Sequence, residues 1–236
     1  MNLTQVIDAA IKACPRVLDY ISSDLQDIFI FKSVEYWLKF YTGQDIASIE
    51  DEYNTKLYGV MDDYTQTDRP ITAFKNAFKR VVYEGFFAAA KSGWIDGGAK
   101  GSISEDVTSY VNARFERETQ FIDELFKELK EKRKTGTADE VAGYIKARAD
   151  GYTGTLDGVY VYAKMAAQKE RIGIWRYGDT VAHCQTCSDL EGEKHPLSWF
   201  IDNGYIPRQR GSTTLECGGW HCECEIVDAE TGERIV

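Results

Sequence analysis

Five of the chain's six cysteines fall between positions 184 and 224, and they are the residues best suited to chemistry: Cys184, Cys187, Cys217, Cys222 and Cys224. Cys184-Gln185-Thr186-Cys187 is a Cys-x-x-Cys turn, which puts two sulfurs on one side of a tight loop as two corners of a tetrahedron, with zinc–sulfur bonds near ~2.3 Å. The second group, Cys217-Gly218-Gly219-Trp220-His221-Cys222-Glu223-Cys224, offers the remaining corners. A cation held by both groups closes the intervening loop, and zinc accepts such a set because its filled d-shell imposes no geometry of its own. Five cysteines compete for four places, and spacing leaves open whether Cys222 and Cys224 both bind. His183, His195 and His221 are lesser candidates, since a histidine beside a cysteine knuckle more often supports a ligand than acts as one.

Two other uses of these thiols exist. A thioredoxin-like redox pair wants a strand before it and a helix after it within an alternating α/β pattern, whereas this pair lies among turn residues with three more cysteines downstream. Disulfides are disfavoured in a reducing compartment. The first residues, Met1-Asn2-Leu3-Thr4-Gln5-Val6-Ile7-Asp8, lack a basic and then apolar leader, so the expectation is synthesis and folding in a reducing cytoplasm. Metal binding is therefore the preferred reading.

The metal is expected to be structural. Thiolate-rich sites are typically closed, while catalytic zinc keeps an open position and usually has histidine or carboxylate ligands. His221-Cys222-Glu223 fits the His-x-Glu of zinc deaminases, but there that triplet precedes a Pro-Cys-x-x-Cys, and here the order is reversed. The sequence holds no phosphate-cradling Gly-x-x-x-x-Gly-Lys, no Gly-x-Ser-x-Gly and no Rossmann glycine pattern. The chain reads as a non-enzyme with no small-molecule substrate. A zinc-dependent enzyme acting on nucleic acid, such as a nuclease or deaminase, and a zinc-ribbon regulatory protein are the alternatives.

The elements that must position these thiols are mostly helical. Of 236 residues, 43% are hydrophobic and 13% aromatic, enough for a buried core, and the formal net charge of -10 argues against a dedicated nucleic-acid reader. No apolar run approaches the ~20 residues that cross a bilayer, so no membrane partner is expected. Helical periodicity covers residues 3–14 and then 17–40, with Pro15 between them. The acidic stretch from Asp45 to Asp68 reads as mixed helix and loop. Pro70 opens a clear helix carrying Phe74, Phe78, Val81, Val82 and Phe86, and glycines from Gly93 to Gly101 mark a candidate linker. Ser104 precedes a long amphipathic helix to about Lys134; Thr137 and Glu140 make a capping box for the next, ending near Gly151; another spans roughly Leu156 to Arg171. Past Gly173 helical periodicity gives way to a Trp175-containing strand and closely spaced turns. The expected architecture is a mainly α-helical body with a small C-terminal irregular or β zinc-binding module, an α+β chain divided as 1–100, 101–173 and 174–236. Such a short module is poor in core residues and depends on its metal for folding.

The module's residues carry a resemblance. Trp175-Arg176-Tyr177-Gly178-Asp179, Cys184-x-x-Cys187, Asp189-Leu190-Glu191-Gly192, Pro196, Gly204-Tyr205-Ile206-Pro207 and Cys222-Glu223-Cys224 are similar, in that order, to the end of tailed-phage head-morphogenesis (minor capsid) proteins, the Mu F-like or SPP1 gene-7-like family. Many members end in His-Pro-x-Cys-x-Cys, so the resemblance implies that Cys217 takes the place of that histidine. The family's Ala-Arg-Thr-Glu helix motif is absent, and the motifs matched lie from 174 onward. The resemblance implies a bacteriophage virion component, packaged in the capsid interior or near the portal after synthesis in the host cytoplasm. Its implied partners are the portal protein, the major capsid protein or both, with weak or indirect DNA contact. Trp199, Phe200 and Trp220 are candidate contact residues, with packing around the metal as their other use.

Overall fold

Asp45 opens the first helix of a computed structural model that describes residues 44–67, 69–179, 182–220 and 222–236. The expected helices within 3–14 and 17–40, with Cys14, lie outside the described residues, as does His221. Helix α1 (Ile46–Gln66) starts where the Asp45 carboxylate accepts the Ser48 amide at 2.8 Å, satisfying one of the N–H groups that a helix start leaves open. Ile49, Tyr53, Leu57, Met61 and Tyr64, three or four apart, form its buried stripe. The stretch expected as mixed helix and loop is thus continuous helix as far as Gln66. Tyrosine and methionine do much of the burying there, and the acids between them disguise the period.

Helix α2 (Ile71–Asp96) follows Pro70 as its sequence predicts, and it runs on through Gly93 before the glycine turn begins. The single helix expected after Ser104 is two, α3 (Glu105–Thr119) and α4 (Ile122–Thr135), separated at Gln120–Phe121. The break lets each half keep a different partner. Buried Arg114 of α3 reaches the carbonyl of Arg210 at 3.0 Å, while Phe126 of α4 meets Tyr64 and Phe78 edge-on at 5.2 and 5.9 Å. Helix α5 (Ala138–Thr153) has the expected capping box, with the Thr137 hydroxyl and Glu140 carboxylate exchanging bonds with each other's amides. Helix α6 (Leu156–Ala167) stops short of Arg171, whose guanidinium is turned to Asp228 at 2.5 Å.

These six helices share one core that includes Leu57, Phe78, Phe86, Phe126, Ile145 and Val159. Gly93 brings α2 and α6 together: a Cβ there would overlap the Tyr160 carbonyl. Among the described residues, no helix is long and apolar enough to cross a membrane.

A three-stranded antiparallel sheet completes the fold, with β1 (Ile172–Arg176) between β2 (Lys194–Pro196) and β3 (Glu225–Asp228). Trp175 pairs with Ile226, and both are fully buried. Two short helices, α7 (Gln185–Leu190) and α8 (Leu197–Asp202), fill the loops between strands. Trp175, Leu197, Phe200, Ile226 and three of the cysteines make a second core, to which α6 contributes Val161 and Met165. Each such side chain, fully buried, contributes about 1.5–3 kcal/mol, so α6 belongs energetically to both cores.

Two consequences can be measured. Gly93→Ala forces a methyl group into backbone of α6, and overpacking of this kind costs about 1–3 kcal/mol; a urea midpoint unchanged from wild type would contradict the close approach. The half-buried Glu50 carboxyl is pushed up to about 7 by burial, by Asp157 and by Asp51. The folded protein then holds this proton more tightly than the unfolded chain, so stability falls as pH rises from 4.5 to about 7. Glu50→Gln should accordingly raise the melting temperature at pH 8 and leave it nearly unchanged at pH 4.5. Equal shifts at both pH values would show that burial of charge is not the cause.

Candidate metal centre

The two cysteine groups meet. Sulfurs of Cys184, Cys187 and Cys217 lie within 4.8 Å of one another, and so do those of Cys187, Cys222 and Cys224. All five are free thiols; Cys187, Cys222 and Cys224 are buried, Cys184 and Cys217 half-buried. The Cys184 and Cys187 sulfurs are 3.4 Å apart.

Local structure explains why they meet. Cys184 caps α7, its carbonyl accepting the Ser188 amide at 3.0 Å, and Cys187 follows in the first turn on the buried side. Glu216, just before Cys217, accepts the Gln185 amide at 2.8 Å, while its own amide donates to the Thr186 hydroxyl at 3.2 Å. This reciprocal pair ties the Cys-x-x-Cys turn to the Cys217 segment. Gly218 and Gly219 then take left-handed conformations, φ 61° and 71°, which L side chains rarely adopt. They turn the chain so that Cys222 and Cys224 arrive at the head of β3.

Backbone amides point at four of the sulfurs. Those of Cys187 and Cys217 are aimed at Cys184, that of Gly219 at Cys217, those of Arg208 and Cys224 at Cys222, and that of Gly178 at Cys224. An amide aimed at sulfur favours the thiolate, the form that binds metal. Burial raises the Cys184 thiol, yet its two amides bring it below the usual thiol range. The thiols of Cys187 and Cys224 hold Cys222 well below that range, and Cys187 is pushed up by the side chains of Cys222 and Cys224 and then by burial. Burial pushes Cys217 up, and Cys224, lowered by Cys187, is raised further by Cys222 and by burial, so the metal-free cluster favours the thiolate at Cys184 and Cys222 and keeps protons on the other three, which a bound cation would displace. The donor set fits a thiophilic ion such as zinc: sulfurs at ligand spacing with thiolate-stabilising amides around them.

The structure brings together all five predicted cysteines. His183 lies at the margin, Nδ1 3.9 Å from the Cys224 sulfur and its ring stacked on Tyr177 at 3.8 Å. His195 is elsewhere, in β2, stacked on Trp199 and 3.2 Å from Glu193. Phe200 is fully buried and so is not a contact residue, because it packs beside Trp175 in the second core. Trp220 is exposed, with the Arg210 guanidinium 5.9 Å from its ring centroid.

One contributor had no obvious mark in the sequence, the loop Ile206–Gly211. Its Arg208, at φ 59°, aims its amide at Cys222. Its other side faces the helices: Gln209 donates to the Tyr110 hydroxyl at 2.8 Å, and Arg210 to the Gly151 carbonyl at 3.4 Å. Only the Gly-Tyr-Ile-Pro turn ahead of it hints at a constrained loop.

Compared with family models, curated proteins and solved structures, the chain matches none of them.

The Gly218–Gly219 turn carries a test. A Cβ on Gly219 would overlap the Gln209 carbonyl, and φ 71° strains any L residue. Gly219→Ala should cost about 2–4 kcal/mol from strain and overpacking. It should also raise the rate at which an aromatic disulfide reagent modifies the metal-free thiols several-fold. An unchanged rate would mean that this turn does not hold Cys217 in place.

Proposed function

We propose that this protein is a minor head-morphogenesis component of a tailed bacteriophage, bound at the portal or inner capsid, with a zinc-stapled module as its rigid docking piece. The observation that carries the reading is the meeting of the two cysteine groups. The residues that bear the family resemblance fall around that one point: Trp175 in the core, Cys184 and Cys187 on α7, and Cys222 and Cys224 leading into β3. Zinc is the cation of choice because thiolate donors select soft or borderline ions, and zinc adds no redox chemistry. Bound there, it supplies a cross-link, worth about 10–16 kcal/mol in small zinc modules.

The chain's own residues then do the docking. Reciprocal bonding of Glu216 fixes the Cys217 turn, and the turn presents Trp220, 53% exposed, on the outside of the module. A large aromatic held on a rigid support is a favourable anchor for a protein partner. No group in this account moves a proton or attacks a bond, so the role is non-enzymatic.

Co-expression with the portal and major capsid proteins of a tailed phage tests the proposal. The chain should co-sediment with the portal oligomer or the capsid, and Trp220→Ala should weaken capture about tenfold or more while zinc content stays the same. A protein that remains monomeric beside both would refute the head-component role.

A further inference from the structure

The thiols are arranged for more than one ion. A single tetrahedral zinc with bonds of about 2.3 Å would hold its four sulfurs about 3.8 Å apart, every pair being neighbours. The sulfurs instead gather as two triads, Cys184–Cys187–Cys217 and Cys187–Cys222–Cys224, that meet at one atom. We infer that the module holds two divalent, thiophilic cations bridged by the sulfur of Cys187, a thiolate cluster in place of a four-cysteine knuckle. The inference rests on the metal-binding reading above and gives it a stoichiometry.

The position of Cys187 supports the bridge. Cys187, the common member, has cysteine sulfurs on both sides, Cys184 at 3.4 Å on one and the Cys222–Cys224 pair on the other. That is the position of a bridging sulfur.

Charge points the same way. Five thiolates around one dication leave three surplus negative charges in a largely buried site, or else a thiol excluded from coordination; two dications leave one surplus charge.

Each ion has three sulfurs and needs one further donor. On the Cys222–Cys224 side His183 is at hand, its Nδ1 3.9 Å from the Cys224 sulfur. On the Cys184–Cys217 side both cysteines are half-buried, and a solvent oxygen completes the set. Each thiol gives its proton to the buffer as it binds.

The test is a count on the unaltered full-length chain, purified reduced and loaded with zinc, by native mass spectrometry with elemental analysis. Two zinc ions per chain are expected. Cys217→Ser should retain one, and Cys187→Ser should lose at least tenfold in affinity for both. Cadmium-113 NMR of the cadmium-loaded chain should give two resonances, both coupled to the Cys187 β-protons. One ion per chain at saturation overturns the bridge and leaves the metal-binding reading intact. No bound ion overturns both.

Discussion

Sulfurs from two distant stretches of chain occupy one small volume, and the C-terminal part of the fold is built around that convergence. Among the described residues, the helices in the loops between β1 and β3 are too short to be stable alone. Their apolar residues share the second core with buried Cys187, Cys222 and Cys224. Deprotonated thiolates so close together repel, and hydrogen bonds from amides offset only part of that. A cation bound there would turn the same crowding into attraction.

The cysteine cluster is linked to the helices through the loop at residues 206–211. One face of it offers the Arg208 amide to Cys222; the other binds Tyr110 and Gly151 through Gln209 and Arg210. Arg114 joins from α3, almost wholly buried, giving bonds to Glu118 at 3.2 Å and to the Arg210 carbonyl at 3.0 Å. Its Nε and Nη1 find no partner among the described residues. A buried guanidinium so placed adds little net stability, but losing either of its two partners, Glu118 or the Arg210 carbonyl, costs several kcal/mol, which favours the observed seat of the loop.

Much of this was legible beforehand where the signal is local. Pro70, the Thr137–Glu140 capping box and the Cys-x-x-Cys turn each act within one helical turn, and each lies where the sequence places it. The failures are tertiary. Helix α1 hides its stripe among acids, and the break at Gln120 exists because α3 and α4 have different neighbours. Phe200 is buried by strands that pair from far along the chain. At the metal centre the cysteines announce themselves, whereas the amides aimed at them come from Gly178, Arg208 and Gly219, residues with no ligand chemistry of their own.

The double allegiance of α6 bears on how this molecule can be dissected. Cutting the chain between Ala167 and Ile172 would seem natural, since helices end and strands begin there. Such a cut would leave Val161 and Met165 as greasy knobs on one fragment and an empty socket beside Trp175 on the other. A transplantable unit has to begin ahead of Leu156 and bring that helix along as its own wall.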